Sequence, residues 1–301
     1  MSATVLPGSE RPATVAATVA AVLRAAHERL AAAGIATARQ DAEALLARAL
    51  GTTRLALYTE GRAPVPAAAH RVFEGLVTRR ARHEPVQYLL GEAEFCGLAL
   101  AVGPGVFIPR PETEELVERA IARGPAGPAT VLDLCTGSGA IACALAARRP
   151  AWAVWAVDTA WSALACARAN VERLELAERV QILEGDLFAP LVPHLPAGKV
   201  DLVLANPPYL EAPALPSLPV EVRDWEPRGA LDGGMDGLAV VRRLLQEAPD
   251  WLRPGGWILA EIGETHGPAV AALGGADPRY AEPTLGRDFR GQVRFVEVRR
   301  R

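Results

Sequence analysis

From residue 129 onward short apolar runs alternate with stretches of helical spacing, and this alternation restricts the fold more than any other feature of the chain. Segments 131–133, 152–157, 180–183, 200–204 and 257–262 read as buried strands, and 140–148, 161–173 and 238–252 as helices. Repeated strand–helix units imply a parallel sheet covered on both faces, a doubly wound α/β domain. Near the end, Val293-Arg294-Phe295-Val296-Glu297-Val298 alternates cleanly, as an antiparallel edge strand does.

What precedes this domain has a different character. Residues 1–13 are small, polar and proline-containing, and are expected to be a disordered tail. Residues 14–90 read as a small helical domain. Val15, Val19, Val22, Leu23, Ala26 and Leu30 recur at helical spacing up to Gly34; Thr37 with Gln40 then suggests a capping box opening a second helix that ends at Gly51. A turn is expected around Leu55-Ala56-Leu57-Tyr58, and a longer helix through Ala69, Phe73 and Val77. Residues 91–110 read as a hairpin linker, with Gly103-Pro104-Gly105 as its turn and Val106-Phe107-Ile108 as its second strand. Thr113 or Glu112 is expected to start the next helix, inside a domain spanning 111–301.

The totals exclude several classes of protein. With 301 residues, half of them apolar, the chain contains no apolar, charge-free run of the ~18 residues that a membrane span needs. Residues 1–13 lack a basic segment followed by an apolar core, so a cytoplasmic location is expected. Cys96, Cys135, Cys143 and Cys166 show no metal-ligand spacing, and His27, His70 and His83 have no partner at such spacing, so no metal site is expected. The net charge of −3 gives no basic excess for stable nucleic-acid binding.

The chemistry collects where strands end. After the first strand of the repeat comes Cys135-Thr136-Gly137-Ser138-Gly139, a turn whose glycines let backbone approach a ligand. It matches a dinucleotide fingerprint only in part, since Ala142 stands at the third glycine. Asp158, about twenty residues on, ends the second strand where a carboxylate takes ribose hydroxyls, which suits the adenosine of either NAD or S-adenosylmethionine. Asp186, with Leu187 beside it, ends the third, where the carboxylate or adjacent backbone can meet an adenine amino group. The fourth strand decides between the two cofactors. It runs into Asn206-Pro207-Pro208-Tyr209, where two prolines stiffen the turn. The Asn206 amide oxygen and the Pro207 carbonyl offer paired acceptors to a planar NH2, with Pro208 and the Tyr209 ring lining the slot. Such a corner suits a nitrogen nucleophile and a sulfonium methyl donor better than hydride transfer.

With these motifs the chain resembles the release-factor glutamine methyltransferases, the HemK-type protein N5-glutamine methyltransferases. The resemblance runs from about residue 14 to the C-terminus. It rests on Glu84-Pro85-Val86-Gln87-Tyr88, Phe107-Ile108-Pro109-Arg110-Pro111-Glu112-Thr113-Glu114, the glycine turn with Asp158, Asn206-Pro207-Pro208-Tyr209, Trp225-Glu226-Pro227-Arg228-Gly229-Ala230-Leu231 and Leu252-Arg253-Pro254-Gly255-Gly256. It implies a mostly parallel, seven-stranded Rossmann-like sheet with an antiparallel edge strand. It also implies methyl transfer from S-adenosylmethionine, leaving S-adenosylhomocysteine, to the Gln of the Gly-Gly-Gln motif of class 1 release factors. A monomer whose helical domain helps dock the substrate follows from the same resemblance. Two departures stand out. Cys135 replaces a glycine common in relatives, expected to be harmless with its side chain in the core, and Leu187 replaces an aromatic ring, expected to weaken cofactor binding modestly. The Asn-Pro-Pro-Tyr corner alone is shared with adenine-N6 methyltransferases, so a nucleic-acid substrate and a ribosomal-protein glutamine stay open as alternatives.

Overall fold

The computed structural model describes residues 17–301, so the tail expected at 1–13 lies outside the described residues. The chain divides into two compact units, one ending at Leu90 and the other running from Gly91 to Arg301.

The first unit consists of helices α1 (Val19–Ala32), α2 (Ala38–Leu50), α3 (Arg54–Thr59), α4 (Ala67–Arg80) and α5 (Val86–Leu90). Val22, Ala26 and Leu30 of α1 close on Leu45 and Leu46 of α2 and Phe73 and Val77 of α4, all buried. The capping box expected at Thr37 does not form: its hydroxyl donates to Asp41 Oδ2 at 2.8 Å rather than receiving a backbone N–H. Asp41 is buried and also accepts from Arg80 Nε at 2.7 Å, and a carboxylate out of water needs such partners. The turn expected at 55–58 is helix α3, capped by the Thr53 hydroxyl, which accepts from Ala56 N.

The second unit opens with strands β1 (Glu92–Phe95) and β2 (Leu98–Ala101), an antiparallel hairpin whose turn is Cys96-Gly97. Both turn residues have positive φ, 50° and 76°, as a two-residue turn matching strand twist requires. The hairpin is therefore shorter than expected. Gly103-Pro104-Gly105 and Val106-Phe107-Ile108 form an irregular arm instead, anchored by Ser162 Oγ donating to the Gly105 carbonyl at 2.7 Å. The hairpin itself is held by Asn170, fully buried: its Oδ1 accepts from Ala101 N, and its Nδ2 donates to the carbonyls of Ala101 and Ser138.

Helix α6 (Pro111–Arg123) starts two residues earlier than Thr113, because Pro111 at its first position has a preset φ and no N–H to leave unpaired. There follow β3 (Ala129–Leu134), α7 (Ala140–Arg148), β4 (Trp152–Asp158), α8 (Trp161–Arg173), β5 (Val180–Glu184), β6 (Val200–Ala205), α9 (Val220–Arg223), α10 (Ala239–Trp251), β7 (Leu252–Glu261), α11 (Gly267–Ala276), β8 (Thr284–Arg287) and β9 (Val293–Arg299). The seven-stranded sheet has the order β5-β4-β3-β6-β7-β9-β8, parallel from β5 to β7 and antiparallel at β9 and β8. Segment 293–298 alternates like an edge, yet it lies one place in, and the four-residue β8 forms the rim. Glu297, which gives that alternation its polar look, is buried between Arg119 Nη1 at 2.8 Å and Arg123 Nε at 2.7 Å.

Each central strand sends alternate residues to opposite faces. Val131, Leu202 and Leu204 join one core with α6 and α7, while Leu132, Val203 and Ala205 join another with α10 and α11. The register then sets the site. Val157, Leu134, Ala205 and Ala260 lie side by side across β4, β3, β6 and β7. The residues that follow them, Asp158, Cys135, Asn206 and Glu261, therefore form one row at the carboxyl edge. That row spans the point between β3 and β6 where the chain order reverses, the usual place for a ligand in such a sheet.

Candidate active site

A cavity of about 440 Å³ opens at this switch point. On the β3–β4 side it is lined by Cys135, Thr136, Gly137, Ser138, Asp158, Asp186 and Leu187, and on the β6 side by Asn206 and Pro208. The arm and α6 add Gly105, Phe107, Pro109 and Thr113, and the loop before α10 adds Pro227, Gly229 and Ala230. Of the residues expected at the site, Gly139, Pro207 and Tyr209 are set back from this wall.

On the β3 side the walls are largely backbone. Gly137 has φ 57°, and a Cβ on it would meet no atom within 4 Å, so the turn borders open space. Gly139, at φ 79°, instead lets α7 pack on α8: a Cβ there would press to 3.1 Å from the Ala167 methyl. Cys135 does pack against the core, but its φ of 61° is left-handed. A side chain there costs ~1–2 kcal/mol, so the cysteine is not the harmless residue expected. Asp158 is half-buried and already holds the turn in shape, with Oδ2 accepting from Gly137 N at 2.8 Å and Oδ1 from Ala160 N at 2.9 Å. The Asp186 carboxylate points to Arg243, 2.9 Å away. Leu187, at φ 48°, is buried in the core beneath the cavity.

Under the turn lies Asp133, fully buried, whose Oδ2 accepts from Thr136 Oγ1 at 2.5 Å and Ala142 N at 3.1 Å. Its Oδ1 has no hydrogen-bond partner among the described residues. Burial pushes this carboxyl up to about 7, against the pull of the Thr136 hydroxyl and the Ala142 amide.

The β6 side is built from side chains. Asn206 Nδ2 donates to Thr113 Oγ1 at 3.1 Å, and Thr113 Oγ1 donates to Glu261 Oε2 at 2.7 Å. Tyr209 Oη donates to Glu261 Oε1 at 3.0 Å. Glu261 is 1 % exposed, and burial raises its carboxyl above the usual range, while the two hydroxyls and the nearby Arg294 charge oppose the shift. The Tyr209 phenol is raised too, by burial and then by the Glu261 charge. The corner is braced from behind by the loop that follows α9. Leu210 N donates to the Leu231 carbonyl and Gly233 N to the Leu210 carbonyl. A Cβ on Gly233 would come within 2.8 Å of the Pro208 carbonyl, and one on Gly237 within 2.4 Å of the Tyr209 carbonyl. Buried Glu226 pairs with Arg110 and accepts from Ile108 N, which ties the arm to the segment that supplies Pro227, Gly229 and Ala230.

The sequence marks Thr113 as a helix start and as part of the 107–114 motif but points to no site role for it, and it assigns Glu261 none. A signal for Glu261 exists: a carboxylate directly after Trp257-Ile258-Leu259-Ala260 sits at a strand end, the position that singled out Asp158.

Known proteins match this chain along most of its length. A family model described as the PrmC N-terminal domain matches residues 21–91, and one described as the methyltransferase small domain matches 114–216. The release factor glutamine methyltransferase of Moorella thermoacetica is 44% identical, covering 94% of this chain and 99% of its own. The chain belongs to the release factor glutamine methyltransferase family. Its relative of the same name in Mycolicibacterium smegmatis is also 44% identical, over 92% of this chain and 96% of the other. As a member of this family the chain is an enzyme, a methyltransferase. A solved methyltransferase from Pyrococcus furiosus shares the fold, with a TM-score of 0.50 at 20% identity over 68% of this chain and 89% of that one. No helix among the described residues is long and apolar enough to cross a membrane.

Proposed function

We propose that this enzyme moves a methyl group from S-adenosylmethionine to the side-chain amide nitrogen, N5, of the Gln in the Gly-Gly-Gln motif of class 1 peptide-chain release factors. The observation that carries this reading is the hydrogen bond from Asn206 Nδ2 to Thr113. With its nitrogen engaged there, Asn206 has its oxygen left to accept, at the wall of a cavity that a nucleoside-sized ligand fits.

The β3 side suits the cofactor. Asp158 takes the ribose hydroxyls on lone pairs left over after Gly137 N and Ala160 N, and Gly137 leaves room for the group beside it. Since the Asp186 carboxylate is engaged by Arg243, the backbone at Asp186 and Leu187 is the better partner for the adenine edge. When bound, the cofactor supplies a sulfonium-activated methyl carbon.

On the β6 side the Asn206 oxygen accepts one N–H bond of the substrate amide, and the backbone carbonyl of Pro207, whose ring is buried behind the wall, accepts the other. An amide nitrogen is a poor nucleophile because its lone pair is delocalised. Acceptors on both N–H bonds favour the arrangement in which that delocalisation is partly lost and positive charge grows on nitrogen. Pro208 borders the slot. Tyr209, which the sequence suggests as a ring face lining the slot, supports it from behind through Glu261. The helical unit contributes to docking the release factor, and the enzyme acts as a monomer in the cytoplasm without stable nucleic-acid binding.

The test is methyl transfer from labelled cofactor to a purified class 1 release factor, to its Gln→Ala variant at the Gly-Gly-Gln motif, and to DNA. Label should enter the first alone. Label in the variant at the same rate, or in DNA, contradicts the reading.

A further inference from the structure

Burial raises the Glu261 carboxyl, while the Thr113 and Tyr209 hydroxyls and the Arg294 charge favour its ionised form. Ionised, it has no proton to give, and in that state the polarity of everything hydrogen-bonded to it is fixed. Glu261 receives two hydroxyls, Thr113 at 2.7 Å and Tyr209 at 3.0 Å, in a site only 1 % exposed. Thr113 has one hydroxyl proton, and Glu261 takes it. What Thr113 Oγ1 can then offer Asn206 is a lone pair, so the Asn206 group facing it must be the NH2, as the 3.1 Å contact has it. The other end of the amide, its oxygen, is thereby left for the cavity. Thr113 is itself 3 % exposed, so water does not compete for these bonds. Each link comes from a different element: α6 for Thr113, β7 for Glu261 and the end of β6 for Asn206.

We infer that Glu261, acting through Thr113, is a positioning residue that determines which end of the Asn206 amide meets the substrate. This rests on the amide-gripping role proposed above for Asn206. The reason for a polarity lock is chemical. An asparagine can turn over with almost no change of shape, and the reversed amide would present N–H groups to the N–H groups of the substrate. Without an acceptor-only group behind it, the Thr113 hydroxyl is free to donate to Asn206 and so to favour the reversed amide.

The comparison of Thr113→Val, Thr113→Ser and Glu261→Leu tests this in the full-length enzyme. Thr113→Val is near-isosteric but removes the lone pair from Asn206 Nδ2. It should lower kcat about tenfold, the scale of one lost hydrogen bond. Glu261→Leu removes the proton acceptor and lets Thr113 reverse the amide, so kcat should fall further, by about a hundredfold. In both, the KM for the release factor and the Kd for S-adenosylmethionine, measured by calorimetry, should stay within about threefold of wild type. Thr113→Ser should recover most of the rate that Thr113→Val loses. If Thr113→Val keeps the wild-type kcat, or if Thr113→Ser is as slow as Thr113→Val, the hydroxyl is not what orients Asn206 and the inference is overturned. Should Glu261→Leu fail to fold, Glu261→Gln, whose amide can donate to Thr113, takes its place, and a wild-type kcat in whichever of the two folds overturns the inference. A wild-type enzyme that leaves the release factor unlabelled would overturn the underlying functional reading instead, and the two failures are told apart by that control.

Discussion

The two sides of the β3–β6 switch point solve opposite problems. On the β3 side a glycine turn borders open space, and its one half-buried carboxylate, Asp158, bonds backbone N–H groups. On the β6 side a proline-stiffened corner is backed by a carboxylate sealed from water and bonded to two hydroxyls. The first arrangement suits a ligand that enters and leaves each cycle, as the proposed cofactor does. The second fixes one amide group in one orientation. On the function proposed above, the contrast teaches that holding a cofactor and aiming a nucleophile are separate tasks, laid next to each other by strand register.

Substitutions on the two sides should therefore fail in different ways. The largest effect belongs to Asn206→Ala, which removes an acceptor from the charge-developing nitrogen: kcat for release-factor methylation should fall by about a thousandfold, as when one oriented transition-state contact is lost. Retention of a tenth of the wild-type kcat would erase the contrast. Asp158→Ala should act on binding instead. Calorimetry should show the Kd for S-adenosylmethionine rising about thirtyfold, the scale of hydrogen bonds to a charged acceptor. An unchanged Kd would remove Asp158 from the cofactor site.

A third test uses pH and the carboxyl beneath the glycine turn. Asp133 is pushed up to about 7 in the folded enzyme by burial, against 3.8 for the ordinary group. A raised carboxyl binds its proton more tightly when folded, so the stability it contributes is full below pH ~4 and is lost as pH rises through ~7, on the order of a few kcal/mol in all. Asp133→Asn cannot titrate. Thermal unfolding of wild type should weaken between pH 4 and 7 by more than that of the variant, and parallel curves would contradict the assignment. The smallest effect is expected for Asp186→Asn, since that carboxylate is exposed and paired with Arg243, and such surface pairs contribute little. Its cofactor Kd should change by less than about threefold.

Much of this was legible in the sequence. The βα alternation gave the sheet, and strand ends gave Asp158 and Asn206, because buried apolar runs and the polar residues that close them are local patterns. Contacts between distant segments were not legible. Nothing near Thr113 announces that its hydroxyl serves Glu261, 148 positions away, rather than a helix end. Local signals also competed and lost. Gly103-Pro104-Gly105 advertises a turn more loudly than Cys96-Gly97, yet the hairpin needs two successive positive φ angles, which proline cannot adopt. Thr37 and Gln40 fit a capping box, but buried Asp41 claims the threonine hydroxyl. The left-handed φ of Cys135 has no local signal beyond its place in a glycine-rich strand-to-helix turn.

The division of labour across the switch point is most directly examined by titrating S-adenosylmethionine into Asn206→Ala in a calorimeter, on the same preparation whose turnover is measured. The variant should bind the cofactor within about threefold of wild type while methylating almost no release factor. A loss of cofactor affinity in step with the loss of rate would mean that the two sides are a single binding surface.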